Sequence, residues 1–101
     1  MKIYTDLKGA ETAHARRVQD TRRSSRPKSI AILSSPQGYV VAVVYDTIQA
    51  AIAAADYWSM KRKAARAVIQ LDDDTFVVMS DKDKQRIWPF RQSACTVLYP
   101  R

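Results

Sequence analysis

Seven consecutive residues, Tyr39-Val40-Val41-Ala42-Val43-Val44-Tyr45, carry no polar side chain other than the two terminal tyrosine hydroxyls. Such density of β-branched and aromatic residues favours extended backbone. Both faces of the run are apolar, which predicts a central strand covered on both sides rather than an edge. The next residues, Asp46-Thr47-Ile48-Gln49, change the local code at once. An Asp N-cap with Gln three residues on satisfies two free backbone donors reciprocally, so a helix is expected to open at Asp46. Its alanine-rich body runs to about Ala65, with Ile48, Ala51, Ile52, Ala55 and Trp58 or Ser59 at helical spacing. That stripe is narrow, and a helix with small residues on its inner face sits close on a sheet. A strand feeding such a helix restricts the chain to a helix-on-sheet fold.

The other strand candidates follow from the same patterns. Ile30-Ala31-Ile32-Leu33 is a short apolar run, and Ser34-Ser35-Pro36-Gln37-Gly38 supplies turn chemistry after it. Ala67 to Leu71 and Thr75 to Met79 read as two strands joined by the turn Asp72-Asp73-Asp74, and Asp81-Lys82-Asp83-Lys84 reads as a further turn. Gln85-Arg86-Ile87-Trp88 and Ala94 to Tyr99 are the last strand candidates, the former demoted to an edge by Pro89. Residues 2–5 read as a short strand or extended lead-in. The expected fold is α+β: an antiparallel sheet of four to six strands with one main helix packed on a face, ordered strand–strand–helix and then a meander. At 101 residues the chain has the size of one domain, with residues 8–28 as a basic N-terminal arm or helix and 29–101 as the core.

Residues 8–28 differ in composition from everything after them. Their apolar content is little more than Ala10, Ala13, Ala15 and Val18, whereas between residues 16 and 28 Arg16, Arg17, Arg22, Arg23, Arg26 and Lys28 are offset only by Asp20. A helix over 9–24 would place Ala10, Ala13, Arg17, Val18 and Thr21 on one thin stripe. Pro27 then stops it, because a residue before proline is pushed toward extended geometry. Over the whole chain 17 Lys and Arg oppose 10 Asp and Glu, a formal charge of +7. A surplus of this size attracts polyanions. Guanidinium forks match phosphate oxygens bidentately, so the arginine segment is the first candidate for nucleic-acid contact. Lys61, Arg62, Lys63 and Arg66 form a second cluster, which complementarity to the helix dipole also explains. Solvation of a flexible arm is the plainer account of the first cluster. A homodimer assembled through that arm is a third reading.

Other constellations point away from catalysis. His14 is the only histidine and Glu11 the only glutamate. No glycine-rich phosphate loop and no metal-ligand spacing of Cys or His occurs. Asp46 or Asp56 with Lys61 could at most furnish a nuclease-like group. The aspartates at 72–74, 81 and 83 have neither the turning glycine nor the terminal glutamate of a calcium loop, so they read as solvated turns. We therefore expect no enzyme, no cofactor and no metal site. Trp88 is expected in the core, Phe90 less firmly so, and one of Tyr57 and Trp58 inward with the other flanking it. Lone Cys95 cannot pair within the chain and sits in an apolar stretch, as a buried inert thiol would. The first residues lack the apolar run of a signal peptide, and Asp46, Thr47 and Gln49 interrupt the longest apolar stretch. The expected location is cytoplasmic, with no membrane partner.

Residues 47–88 carry a helix opening with Thr47 and bearing Ala50, Ala51, Ala54 and Ala55. After it come Val68-Ile69, the Asp-rich turn, Phe76-Val77-Val78, the charged Asp81 to Lys84 turn and Arg86-Ile87-Trp88. This succession resembles the helix-plus-meander of small phage proteins, including some type I anti-CRISPR proteins, over about two fifths of the chain. The resemblance implies action by binding, often on the nucleic-acid track of a CRISPR surveillance complex. It carries no diagnostic residues. Many such proteins are acidic DNA mimics, a mechanism that +7 excludes here. A basic inhibitor would meet acidic protein surface, guide RNA or target DNA. The leading expectation remains DNA or RNA binding without strong sequence specificity, with an inhibitor of a host defence nucleoprotein complex as the alternative.

Overall fold

The computed structural model describes residues 1–22, 29–72 and 74–100, with only the backbone of Thr21 and Arg22. Two compact units divide the chain, Met1–Val43 and Val44–Arg101. The elements are α1 (Leu7–Arg22), β1 (Ile30–Ser35), β2 (Gly38–Val43), α2 (Ile48–Arg62), β3 (Arg66–Asp72), β4 (Thr75–Ser80), α3 (Asp81–Ile87) and β5 (Cys95–Val97). The class is α+β as expected. Instead of one sheet of four to six strands there are two antiparallel sheets, β1-β2 and β4-β3-β5.

In the first unit Asp6 opens α1 by accepting the Gly9 amide at 2.6 Å, the bond a capping carboxylate makes. The helix begins at Leu7, two residues before the expected start, and covers the expected stretch as far as Arg22; Arg23 and Ser24 lie outside the described residues. Ala10 is fully buried, Ala13, His14 and Val18 are half-buried, and α1 lies against both β1 and β2. The strands form a hairpin with Ser35 opposite Gly38 across Pro36-Gln37. Gly38 is required there: its φ is +140°, and a Cβ would stand 2.5 Å from the Tyr4 carbonyl oxygen. That close approach lets Tyr4 and Tyr39 exchange both backbone bonds, at 2.7 and 2.8 Å.

β2 is therefore not the central strand its composition suggested. Val40, Val41 and Ala42 are buried, but within this unit only β1 pairs with β2 as a strand. Because Tyr39 directs its N–H and C=O to Tyr4, Val41 two residues on directs its carbonyl to the same outer edge. The Arg17 guanidinium donates to that carbonyl at 2.8 Å. A side chain thus stands where a third strand would supply an amide.

The second unit is built on β3, whose Ala67, Val68 and Ile69 are fully buried. After it the Asp74 amide donates to an Asp72 carboxylate oxygen at 3.0 Å, with Asp73 outside the described residues. Ala51 and Ala55 of α2 close the core with Val68 and Phe76, and Tyr45, Ile48, Val78, Cys95 and Val97 pack around them. Cys95, expected as a buried thiol, is half-buried and forms no disulfide among the described residues. The apolar run of residues 39–45 ends its pairing with β1 at Val43, and Tyr45 instead exchanges two 2.9 Å backbone bonds with Phe76.

Two local expectations are corrected. Thr47, not Asp46, caps α2, its hydroxyl accepting the Ala50 amide at 3.1 Å from extended backbone. One residue of offset puts the shorter β-branched hydroxyl in register with the third amide. Residues 81–87, expected as a turn and then an edge strand, form α3. Ser80 caps it by accepting the Asp83 amide at 3.2 Å, and Asp81 and Asp83 face the positive end of the helix dipole. Capping and charge order outweigh the strand propensity of Ile87 and Trp88, which the helix end buries at 0% and 4% exposure. Of the last expected strand only Cys95–Val97 pairs.

Candidate nucleic-acid interface

The predicted arginine segment divides in two. Arg22 marks the last turn of α1, and its side chain, with Arg23, Arg26 and Lys28, lies outside the described residues. Arg16 and Arg17 are exposed on α1. They line a cavity of about 290 Å³ with Met1, Lys2, Tyr4, Ala13, Asp20 and Val41. Three cations meet there, and Asp20 is the one carboxylate among the described lining residues.

Each is placed by a different device. Lys2 is carried by the lead-in that Tyr4 ties to Tyr39, and its ammonium stands 5.1 Å from the Tyr4 ring centroid. Arg16 leaves α1 into solvent. Arg17 is turned onto the β2 edge by its bond to the Val41 carbonyl. His14 is spent on structure as well: its Nε2 lies 2.9 Å from the Ile30 carbonyl, which can only accept, so Nε2 is the protonated nitrogen. Lys2 was missed from sequence because the convergence depends on pairing between residues 4 and 39, for which a single exposed lysine gives no signal.

The second cluster belongs to the other unit. Lys61 and Arg62 close the last turn of α2 and are exposed. Lys63 is the C-cap, in left-handed backbone at φ 54° and ψ 45°. Arg66 begins β3 half-buried, its Nε enclosed with no hydrogen-bond partner among the described residues.

Two tyrosine and tryptophan rings accompany these cations. Tyr57 and Trp58 meet edge to face at 5.3 Å and 81°. The Lys61 ammonium lies 5.5 Å from the Tyr57 centroid and 5.4 Å from that of Trp58, and the Arg62 guanidinium 5.6 Å from Trp58. Lys61 also donates to the Tyr57 hydroxyl at 3.2 Å. The i, i+4 spacing of Tyr57 with Lys61 and of Trp58 with Arg62 was the available sequence signal. Trp58 is half-buried and Tyr57 55% exposed, so neither ring is a pure core residue.

Phe90 stands 95% exposed. Its turn is fixed at both sides: Trp88 is buried, the Arg91 amide donates to the Trp88 carbonyl at 3.2 Å, and the Arg91 guanidinium donates to the Gln70 carbonyl at 2.9 Å. A groove of about 610 Å³ between α2 and the β5 end, lined by Gln49, Ile52, Ala53, Asp56, Thr96, Val97 and Leu98, offers no cation and does not suit phosphate. Among the described residues no group of three or more His, Cys, Asp or Glu side chains is placed to hold a metal ion. No helix among them is long and apolar enough to cross a membrane. Comparison with protein-family models, curated proteins and solved structures returns no match in any of the three.

Proposed function

We propose that this chain is a non-enzymatic nucleic-acid-binding protein that holds the phosphate backbone through its basic surface, without strong sequence specificity. The observation that carries this reading is the convergence of Lys2, Arg16 and Arg17 on one cavity with a single opposing carboxylate. Cations gathered in a concavity focus their field and retain an anion better than the same charges spread on a convex surface. Arg17 spends one nitrogen on Val41, so Lys2 and Arg16 are the main phosphate ligands. Phosphate contacts of this kind position a strand and carry no base information.

The test is binding of labelled DNA and RNA at two salt concentrations, for wild type and a Lys2→Ala, Arg16→Ala double variant. Binding should weaken steeply with salt, and the variant should reduce the logarithmic salt slope by about two, one for each phosphate ligand removed. Absence of binding by wild type at low salt refutes the reading.

A second reading is favoured by Phe90. An aromatic side chain held out by a pinned turn suits anchorage in a protein pocket. On this reading the chain is a phage-encoded inhibitor that docks on a defence nucleoprotein complex or its acidic surface. Phe90→Ser would then abolish inhibition while leaving binding to free nucleic acid as in wild type.

A further inference from the structure

We propose that the end of α2 is a stacking platform for an unpaired base, Tyr57 receiving the base and Lys61 and Arg62 the flanking phosphates, so that the protein prefers single-stranded nucleic acid to duplex. The inference rests on the nucleic-acid reading above and adds the form of strand selected. Tyr57 lies two residues after buried Ala55 and two before buried Ser59, which puts it on the opposite side of the helix from the core stripe. With Met60 beside it at 59% exposure, it forms an apolar surface that the second unit does not cover.

Its orientation is set before any ligand arrives. The Trp58 ring abuts it at 81°, and the Lys61 ammonium holds the Tyr57 hydroxyl at 3.2 Å. A ring fixed this way loses little conformational freedom when a base is laid on it. The occupant follows from charge: the two cations over the rings call for an anion within reach of an aromatic face. A nucleotide joins those two properties. In a duplex the faces of the bases are stacked on one another, so only an unpaired strand can offer one to Tyr57.

The experiment measures anisotropy of a labelled oligothymidylate and of a duplex of equal length, with the full chain and with Tyr57→Ala and Tyr57→Phe. Base–aromatic stacking is worth about 1–3 kcal/mol per base, so Tyr57→Ala should weaken single-strand binding by about 5- to 150-fold. Tyr57→Phe should restore most of that loss, and duplex binding should change less than about twofold. Thermal melting confirms that both variants fold. Equal single-strand affinity for Tyr57→Ala and wild type overturns the platform and leaves the phosphate reading standing, as does a wild-type preference for duplex. Binding of neither ligand by wild type overturns both. A dimer in sedimentation that depends on Tyr57, with strand affinity unchanged, replaces the base by a second copy of the chain and likewise overturns the platform.

Discussion

Arg16 and Arg17 are adjacent in a charge run, yet the fold gives them different work. Arg17 satisfies an edge carbonyl through a charged donor, and Arg16 stays in solvent. Arg17→Ala should cost about 1–3 kcal/mol in urea unfolding, because the Val41 carbonyl loses its partner in a part-buried site. Arg16→Ala should leave the midpoint almost unmoved while weakening nucleic-acid binding. Gly38 makes a stricter demand. Any Cβ meets the Tyr4 carbonyl, so Gly38→Ala should lower the melting temperature and break the Tyr4–Tyr39 pairing, visible as faster exchange of both amides. Asp83 sets a pH dependence. Burial alone would raise its carboxyl, but positive neighbours outweigh that, first the Arg86 guanidinium donating at 3.0 Å, and it sits below its ordinary 3.8. A carboxyl lowered by folding stabilises the fold fully above its unfolded value, and that gain is lost as pH falls below 3.8 through the folded value. Asp83→Asn should therefore flatten the decline of stability below about pH 4 in an acid titration followed by circular dichroism.

The ends of the elements separate helix chemistry from ligand chemistry. Lys63 holds left-handed backbone at the end of α2, a conformation that costs a lysine roughly 1 kcal/mol more than a glycine. Lys63→Gly should accordingly raise stability by up to about 1 kcal/mol in denaturant unfolding, although it removes a charge. The strand and helix patterns were legible where periodicity and turn chemistry agree: β1, β2, β3, β4 and the body of α2 lie where apolar runs and Gly, Pro or Asp punctuation put them. The failures have local causes. At 81–87, strand-forming Ile87 and Trp88 follow a serine cap and an acidic first turn, and the cap decides. Thr47→Ala, not Asp46→Ala, should cost about 1 kcal/mol, which a pair of melting curves distinguishes.

Over the whole chain, eight Lys and Arg against three Asp and Glu fall in residues 1–43, and nine against seven in residues 44–101. The surplus is thus concentrated with α1, and removal of Lys2 and Arg16 should reduce the salt dependence of duplex binding more than removal of Lys61 and Arg62, which the platform reserves for an unpaired strand. The arginine segment was legible as a charge feature. Its partition into a cavity-lining cation and a strand-edge partner was not, since that depends on pairings between residues 4 and 39 and between 17 and 41. The expected single sheet failed for a related reason: apolarity on both faces of β2 reports burial, and it does not say which group pairs the second edge.

That second edge has a consequence for how the protein behaves in bulk. The outward Val41 carbonyl, with Tyr4 pairing beside it, is a short template on which the backbone of another molecule could add a strand, and a long charged side chain laid across it is a poor surface for such addition. Arg17 then acts as a guard against aggregation as well as a local stabiliser. Light scattering at rising concentration should show Arg17→Ala clustering where wild type stays dispersed, with added salt promoting the clusters rather than dissolving them.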